Sequence, residues 1–177
     1  MRNGGHVTRA YAHKFKPLID FLGIPTLIVT DLDSVDADSK KCPVATGVGT
    51  SNVALRDWLP GKADLVELRG CDAAAKTQRT IQVAFQVDEG GHCGRSFEEA
   101  FIYANVAWLT ANHANLEATG GSIGRSVAAG LTADGWNLSG KLGKVDFALD
   151  LLANPGWNTP KYIQDGLVWL AGMRANT

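Results

Sequence analysis

The chain has 177 residues, a length that fits one domain with a sizeable core. Its apolar content of 45% and charged content of 20% are those of a soluble globular protein. A net charge of -1 excludes an overall basic field that would hold nucleic acid, and leaves room only for a local basic groove.

The cysteines and the N-terminal residues indicate the cellular compartment in which the protein is expected. Cys42, Cys71 and Cys93 are odd in number and have the spacing of neither a disulfide framework nor a zinc site. We therefore expect a reducing, cytoplasmic setting. The first residues lack the apolar segment of a signal peptide, and no apolar run reaches membrane-span length, so no membrane partner is expected.

The first half of the chain alternates between predicted helices and strands. Apolar residues at helical spacing predict an amphipathic helix over residues 6–22. The β-branched run at 26–30 predicts a buried strand of a parallel sheet. A polar, mobile loop is expected over 34–41, and a short helix over 53–59.

The pattern then changes to one strand followed by helices. Residues 81–87 alternate apolar and polar, which predicts a strand with one face in water. After a glycine-rich turn, Ser96 is expected to cap a long helix over 97–117. The glycine-rich segment 120–140 carries no clear structural signal, whereas apolar spacing over 144–153 predicts a helix.

A last helix is predicted to begin at Pro160, with Ile163, Leu167 and Leu170 facing inward. This order of elements predicts an α/β fold, a parallel sheet flanked by helices, with a helical C-terminal portion.

Asp31 and Asp33 follow the predicted strand at 26–30 directly. Ligands of open α/β sheets gather beyond the carboxyl ends of the strands. Two acids held close together raise each other's pKa unless a cation neutralises them, and hard cations such as Mg²⁺ prefer oxygen ligands. We favour a metal site over the alternative, in which the two acids only cap a turn.

Further charged residues are candidates for the same site. Glu98 and Glu99 follow Ser96, where acids also stabilise a helix N-terminus without any further role. Only one of them can face inward, and Glu98 is preferred. Lys141 and Lys144 precede a helix, where a nearby anion such as phosphate would offset their unfavourable position; plain solvent exposure is the alternative.

Two further motifs are weaker indications of a phosphate-binding site. Residues 135–141 match G-x-x-x-x-G-K, but Leu142 stands where a phosphate loop needs Ser or Thr, so an ATP site is rejected. Residues 50–52, Thr-Ser-Asn, are expected either to bind phosphate at a helix start or only to cap it.

Together these motifs resemble the C-terminal nuclease region of the OLD (overcoming lysogenization defect) family, class 2-like, which is built on a TOPRIM domain. The resemblance covers nearly the whole chain. Besides Thr-Asp-Leu-Asp-Ser at 30–34, the segments that carry it are 4–5, 21–26, 50–52, 94–101, 144–148, 157–163 and 166–170.

The resemblance implies an enzyme that cleaves DNA phosphodiesters with two Mg²⁺ or Mn²⁺ ions, fused to an N-terminal ABC-type ATPase. By this resemblance Asp31, Asp33 and Glu98 bind metal, and Ser34 lends a hydroxyl. Lys144, rather than Lys141, matches the basic position that steadies the charged transition state. The implied division is a TOPRIM-like core over 1–95 and a helical portion over 96–177.

One feature of the family is missing, because the chain has no acid before Asp20 and therefore lacks the glutamates of the first TOPRIM strand. We expect weak or no activity from the chain alone. We also expect an unpaired sheet edge that favours a homodimer.

Two other functions fit parts of the sequence. A haloacid dehalogenase-type phosphatase also has an apolar strand ending in Asp-x-Asp, with Asp31 as nucleophile. A non-catalytic, partner-binding module is the second alternative, with Trp157 and Trp169 supplying an interface.

Overall fold

The computed structural model describes residues 14–62 and 64–175, with side chains as far as residue 173. The helices are α1 Lys16–Leu22, α2 Val53–Trp58, α3 Leu65–Arg69, α4 Phe97–Ala104, α5 Val106–Asn112, α6 Gly120–Ala129, α7 Leu131–Ser139, α8 Lys144–Ala153 and α9 Lys161–Ala175. The strands are β1 Thr26–Val29, β2 Ser34–Val35, β3 Gly49–Thr50, β4 Thr77–Gln78, β5 Ile81–Ala84, β6 Asp88–Glu89 and β7 His92–Cys93. Of the predicted helix over 6–22, residues 6–13 lie outside the described residues.

The main sheet has the order β1-β5-β4. Strands β1 and β5 run parallel, in a register that pairs Val29 with Ala84. Strand β4 is antiparallel to β5, so the sheet is mixed rather than purely parallel as predicted. The predicted α/β fold is confirmed. The parallel pair brings the carboxyl ends of β1 and β5 side by side, and this edge positions the candidate site.

Strand β5 is buried on both faces, so the predicted face in water is wrong. Gln82 is only 5% exposed and Gln86, just beyond the strand, is fully buried. Val83 and Phe85 pack into the apolar cluster that includes residues of α2 and α3. On the other face, Ala84 packs with residues of α9. Polar residues in a buried strand need partners within the protein, which Gln86 finds in the candidate site.

The long helix predicted over 97–117 is broken at Asn105, between α4 and α5. The Asn105 side-chain amide donates to the Phe101 carbonyl at 3.1 Å and to the Asn158 carbonyl at 2.8 Å. Its oxygen accepts from the Asn158 amide at 2.6 Å. An asparagine side chain competes with the helix backbone for hydrogen bonds. Here the side chain interrupts the helix and also fixes the loop before α9.

The C-terminal half is mainly helical, with a loop over 154–160 before α9. The segment 120–140, which carried no clear signal, forms α6 and α7. Gly135 lies inside α7, where a Cβ would come within 2.6 Å of the Tyr103 ring, so this glycine serves helix packing. Helix α8 has the predicted bounds.

The prediction for helix α9 is right for two of its three residues. Ile163 packs against the cluster of Ala84 and Tyr162, and Leu170 is half-buried, whereas Leu167, predicted to face inward, is 52% exposed. A Cβ on Gly166 would lie 2.7 Å from the Leu27 Cδ1 atom, so the glycine sits directly against β1. Because this close approach occurs at a residue without a side chain, apolar periodicity did not reveal it.

Two large apolar clusters occupy different parts of the sequence. The first joins β1 and β5 to α2 and α3, and the second lies among α4 to α8. The division into 1–95 and 96–177 stays a prediction. Within the described ranges, every helix is too short or too polar to cross a membrane.

Candidate active site at the carboxyl end of the parallel strands

The carboxylate of Asp31 lies beside the end of β5, where Gln86 fixes it. Gln86 Nε2 donates to Asp31 Oδ1 at 2.6 Å and to the Tyr162 hydroxyl at 3.4 Å. Gln86 Oε1 accepts from the Leu32 backbone amide at 2.7 Å. Both hydrogens and the oxygen of this buried amide are therefore engaged, which leaves it one orientation.

The backbone of Asp31 is held from the opposite side by Asn52. The Asn52 amide donates to the Asp31 carbonyl at 2.6 Å and to the Thr30 hydroxyl at 2.8 Å. Its oxygen accepts from the amides of Ala54 and Leu55 and so caps α2. One buried side chain thus ties the start of α2 to the end of β1.

Asp33 has a left-handed backbone, with φ of 49°. Its amide donates to the Arg95 carbonyl at 3.2 Å, and its carbonyl accepts from the Ser51 amide at 3.0 Å. Its carboxylate pairs with Arg95 Nη2 at 2.9 Å. A non-glycine residue in this conformation is uncommon, and the surrounding hydrogen bonds hold it there.

The two glutamates at the start of α4 have separate partners. Glu99 accepts from the Arg95 amide at 2.8 Å and from the Tyr103 hydroxyl at 2.8 Å. It ties the first turn of α4 to the residue before the N-cap, and Ser96 itself makes no capping hydrogen bond through its side chain within the described part of the chain. Glu98 instead pairs with Lys144 Nζ at 3.5 Å.

Lys144 and Ser34 complete the residues singled out from sequence. The Lys144 side chain is exposed apart from its contact with Glu98, while Lys141 is exposed and lies one turn before α8. The Ser34 hydroxyl is fully buried and donates to the Cys42 carbonyl at 2.6 Å. The predicted roles of Ser34, Asp31, Asp33, Glu98 and Lys144 stay predictions.

Electrostatic coupling joins most of these groups. Burial raises the pKa of Asp31, the hydrogen bond from Gln86 lowers it, and the carboxylates of Asp33 and Glu98 raise it again. Lys144 lowers the pKa of Asp31 only slightly by comparison. The net effect is a raised pKa, so the protein holds a carboxylate here at an electrostatic cost.

The acids are not gathered around one point. Among the described residues, no group of three or more His, Cys, Asp or Glu side chains is placed to hold a metal ion. Asp33 is drawn to Arg95 and Glu98 to Lys144. The donor set fits a hard cation by its chemistry, since its oxygens are carboxylates. Burial, and to a smaller extent repulsion by the other carboxylates, raises the pKa of Asp31. A bound metal ion would replace Arg95 as the partner of Asp33 and Lys144 as the partner of Glu98.

Several residues of the site were missed or undervalued from sequence. The alternating pattern of 81–87 predicts that Gln86 faces solvent, and Asn52 is predicted to cap a helix or to bind phosphate there. Arg95 and Tyr162 lie within segments that carry the family resemblance but have no predicted role of their own. The parallel register did contain a signal, because residues just beyond the ends of two paired strands must meet.

The fold and these contacts define the class: an α/β protein with two aspartates, Asp31 and Asp33, just beyond the carboxyl end of a parallel strand. Endonuclease GajA of Bacillus cereus (strain HuB5-5) is 28% identical to the chain over 191 aligned positions. The alignment covers 94% of the chain and 26% of the relative, so the chain spans about a quarter of that protein's length. No protein-family model matches the chain. No solved structure matches it either.

Proposed function

We propose that this chain carries the catalytic centre of a metal-dependent DNA endonuclease, related to the OLD family and built on a TOPRIM-like core. Asp31, Asp33 and Glu98 are the proposed ligands of Mg²⁺ or Mn²⁺, with two ions in the intact enzyme. Lys144 is the proposed contact to the scissile phosphate. The division into a core over 1–95 and a helical portion over 96–177 belongs to the same proposal.

One observation carries the proposal: the carboxylate of Asp31 lies just beyond the end of β1, fixed by Gln86 at 2.6 Å. Burial raises its pKa, and the nearby carboxylates of Asp33 and Glu98 raise it further. Acids at the carboxyl end of a parallel strand suit a cation bridging protein and phosphodiester. The endonuclease relative favours a nuclease over an aspartyl-phosphate phosphatase and over a non-catalytic module.

Bound ions would activate water for attack and stabilise the leaving oxygen. The chain's own residues fix the ligands in advance. Gln86 holds the carboxylate of Asp31, and Asn52 holds its backbone. Such support reduces the rearrangement that binding requires. Lys144, exposed and paired with Glu98, is free to exchange that acid for a phosphate oxygen.

Ser34 is proposed to support the site through hydrogen bonds and not to bind the metal directly. Its hydroxyl is directed at the Cys42 carbonyl, and its own carbonyl accepts from Arg95 Nε at 3.1 Å. We therefore assign it to support of the Asp33–Arg95 pair. The resemblance to the OLD family supports the proposal of an N-terminal ABC-type ATPase as partner domain, and the endonuclease relative supports DNA as substrate.

Plasmid cleavage tests the proposal. Because weak or no activity is expected from the chain alone, it is used in excess over supercoiled plasmid. Any nicked or linear DNA it produces is expected to require Mn²⁺ or Mg²⁺, and chelator is expected to stop the reaction. Asp31→Asn removes the charge of the central ligand and is expected to abolish cleavage. Asp38→Asn is the matched control, since Asp38 pairs with Lys40 in an exposed loop.

Two results contradict the proposal: cleavage that continues unchanged in chelator, and equal cleavage by Asp31→Asn. Release of phosphate from an aryl phosphate, lost in Asp31→Asn, would favour the phosphatase instead.

A further inference from the structure

A cavity of about 830 Å³ lies between α3, β5 and α9. This volume is typical of sites for small organic ligands. Its walls are mainly apolar and include Val66, Val87, Val168 and the Trp169 ring. Tyr162 also lines it, and separates it from the candidate active site by presenting its hydroxyl to Gln86.

Lys76 is a basic residue in the lining of this mainly apolar cavity. Its Nζ atom lies 4.2 Å from the centroid of the Phe85 ring. Burial lowers the pKa of Lys76, which reflects an ammonium group with too little water around it. Lys76 takes part in none of the ion pairs formed between the described residues.

The other two basic residues of the cavity already have acidic partners. Arg69 pairs with Asp88 at 3.0 Å, and Lys161 with Asp165 at 2.7 Å. Both pairs are largely exposed at the rim. An anion that enters the cavity therefore finds one cation uncommitted to a carboxylate, and that cation is half-buried where attraction is least screened.

We infer that the cavity is a binding site for a small organic anion with a flat, apolar body. The acidic group pairs with Lys76, and the body packs against the valines and the Trp169 ring. Charge complementarity selects the acid, and the apolar walls select a planar ring system. The site is independent of the proposed nuclease centre, because neither Asp31 nor Glu98 lines it.

Titration with 1-naphthalenesulfonate, followed by two-dimensional amide NMR, tests this inference. Saturable shifts are expected at the Trp169 indole N–H and the Gly166 amide. Naphthalene-1-sulfonamide, a neutral analogue of similar shape, is expected to bind about tenfold more weakly, since it lacks the charge that Lys76 recognises. This comparison uses the unaltered protein and so does not depend on the folding of a variant.

Variants of Lys76 provide the second arm. Lys76→Met is expected to weaken sulfonate binding about tenfold without affecting the sulfonamide, and Lys76→Arg to retain binding. Lys40→Met, an exposed lysine paired with Asp38, is the matched control and leaves both affinities unchanged. Equal affinity for the charged and neutral compounds, unaltered sulfonate binding by Lys76→Met, or shifts confined to other surfaces would overturn the inference.

Discussion

Gln86 and Asp31 form a hydrogen bond of 2.6 Å across the ends of two parallel strands, at the centre of the candidate site. The same amide accepts from the backbone of Leu32, the residue after Asp31. Gln86 therefore sets both the orientation of the carboxylate and the direction in which the chain leaves β1.

Replacing Gln86 tests this support directly. Gln86→Leu leaves the buried Leu32 amide without an acceptor and Asp31 without its donor. We expect a loss of about 2 kcal/mol in the free energy of unfolding, and about a tenfold loss in Mn²⁺ affinity. Urea denaturation and calorimetry measure the two effects.

Gln82→Leu is the matched control on the same strand. Gln82 is also buried, but among the described residues its side chain donates to the Thr77 hydroxyl, at 3.2 Å, and not to the site. We expect it to leave metal affinity unchanged. Equal effects of the two substitutions on metal binding would remove Gln86 from its assigned role.

The raised pKa of Asp31 predicts an unusual dependence of stability on pH. A carboxyl group whose pKa is higher in the folded than in the unfolded protein favours folding in its protonated form. This contribution to stability is complete below the unfolded pKa and is lost as the pH rises through the folded pKa. At pH 7 without metal, Asp31→Asn should therefore be more stable than the wild type. The difference should vanish below about pH 3.9, the ordinary pKa of aspartate.

Thermal denaturation at a series of pH values in chelator measures this difference. Asp38→Asn, in an exposed loop, provides the control and should show no such trend. An Asp31→Asn variant that is less stable than the wild type at pH 7 would mean that the carboxylate is favourably held there without a cation.

The backbone of Asp33 predicts a difference between two small residues. Both Asp33→Gly and Asp33→Ala remove the carboxylate and its pairing with Arg95. Only glycine adopts a φ of 49° without a steric cost, so the glycine variant should be more stable by about 1 kcal/mol. Chemical denaturation measures the free energy of unfolding of the two variants. Equal values would contradict the prediction and show that the backbone at residue 33 leaves the left-handed conformation in the alanine variant.

Asp150 is a buried acid with a purely structural role. Its carboxylate accepts from the amides of Glu117, Ala118 and Thr119 and from the Thr119 hydroxyl, and so fixes the start of α6. Burial alone would raise the pKa of Asp150, but these hydrogen bonds outweigh it and lower the pKa. Asp150→Ala should cost about 3 kcal/mol of unfolding free energy at pH 7, because it leaves buried donors unpaired.

The contribution of Asp150 to stability depends on pH in the opposite direction from that of Asp31. The stability due to Asp150 is present above its unfolded pKa and is lost as pH falls through the folded pKa. The gap between Asp150→Ala and the wild type should therefore shrink in acid. Asp146→Ala, an exposed acid on the same helix, should change stability by only about 0.5 kcal/mol. A small effect of Asp150→Ala at pH 7 would contradict this assignment.

The sequence was most informative where one local rule decided the structure. A β-branched run ending in two acids predicted both β1 and the positions of Asp31 and Asp33. Apolar spacing with a glycine before it and Asn154 after it predicted the bounds of α8. In each case neighbours in sequence supply the decisive interactions.

The sequence failed where distant segments decide the structure. Gln86 alternates with apolar neighbours as a surface residue would, yet the packing of α9 on β5 buries it. Asn105 breaks a helix through contacts with Asn158, 53 residues away. The face of α9 depends on a close approach of Gly166 to Leu27, which no periodicity of side chains records.

Calorimetric titration with Mn²⁺ tests the central claim most directly, because it asks whether the acids bind a cation without requiring turnover. We predict saturable binding at millimolar metal or below in the wild type and in Asp38→Asn, and its loss in Asp31→Asn. No binding at millimolar Mn²⁺, or equal binding in Asp31→Asn, would contradict the assignment of these carboxylates to a metal-dependent nuclease centre.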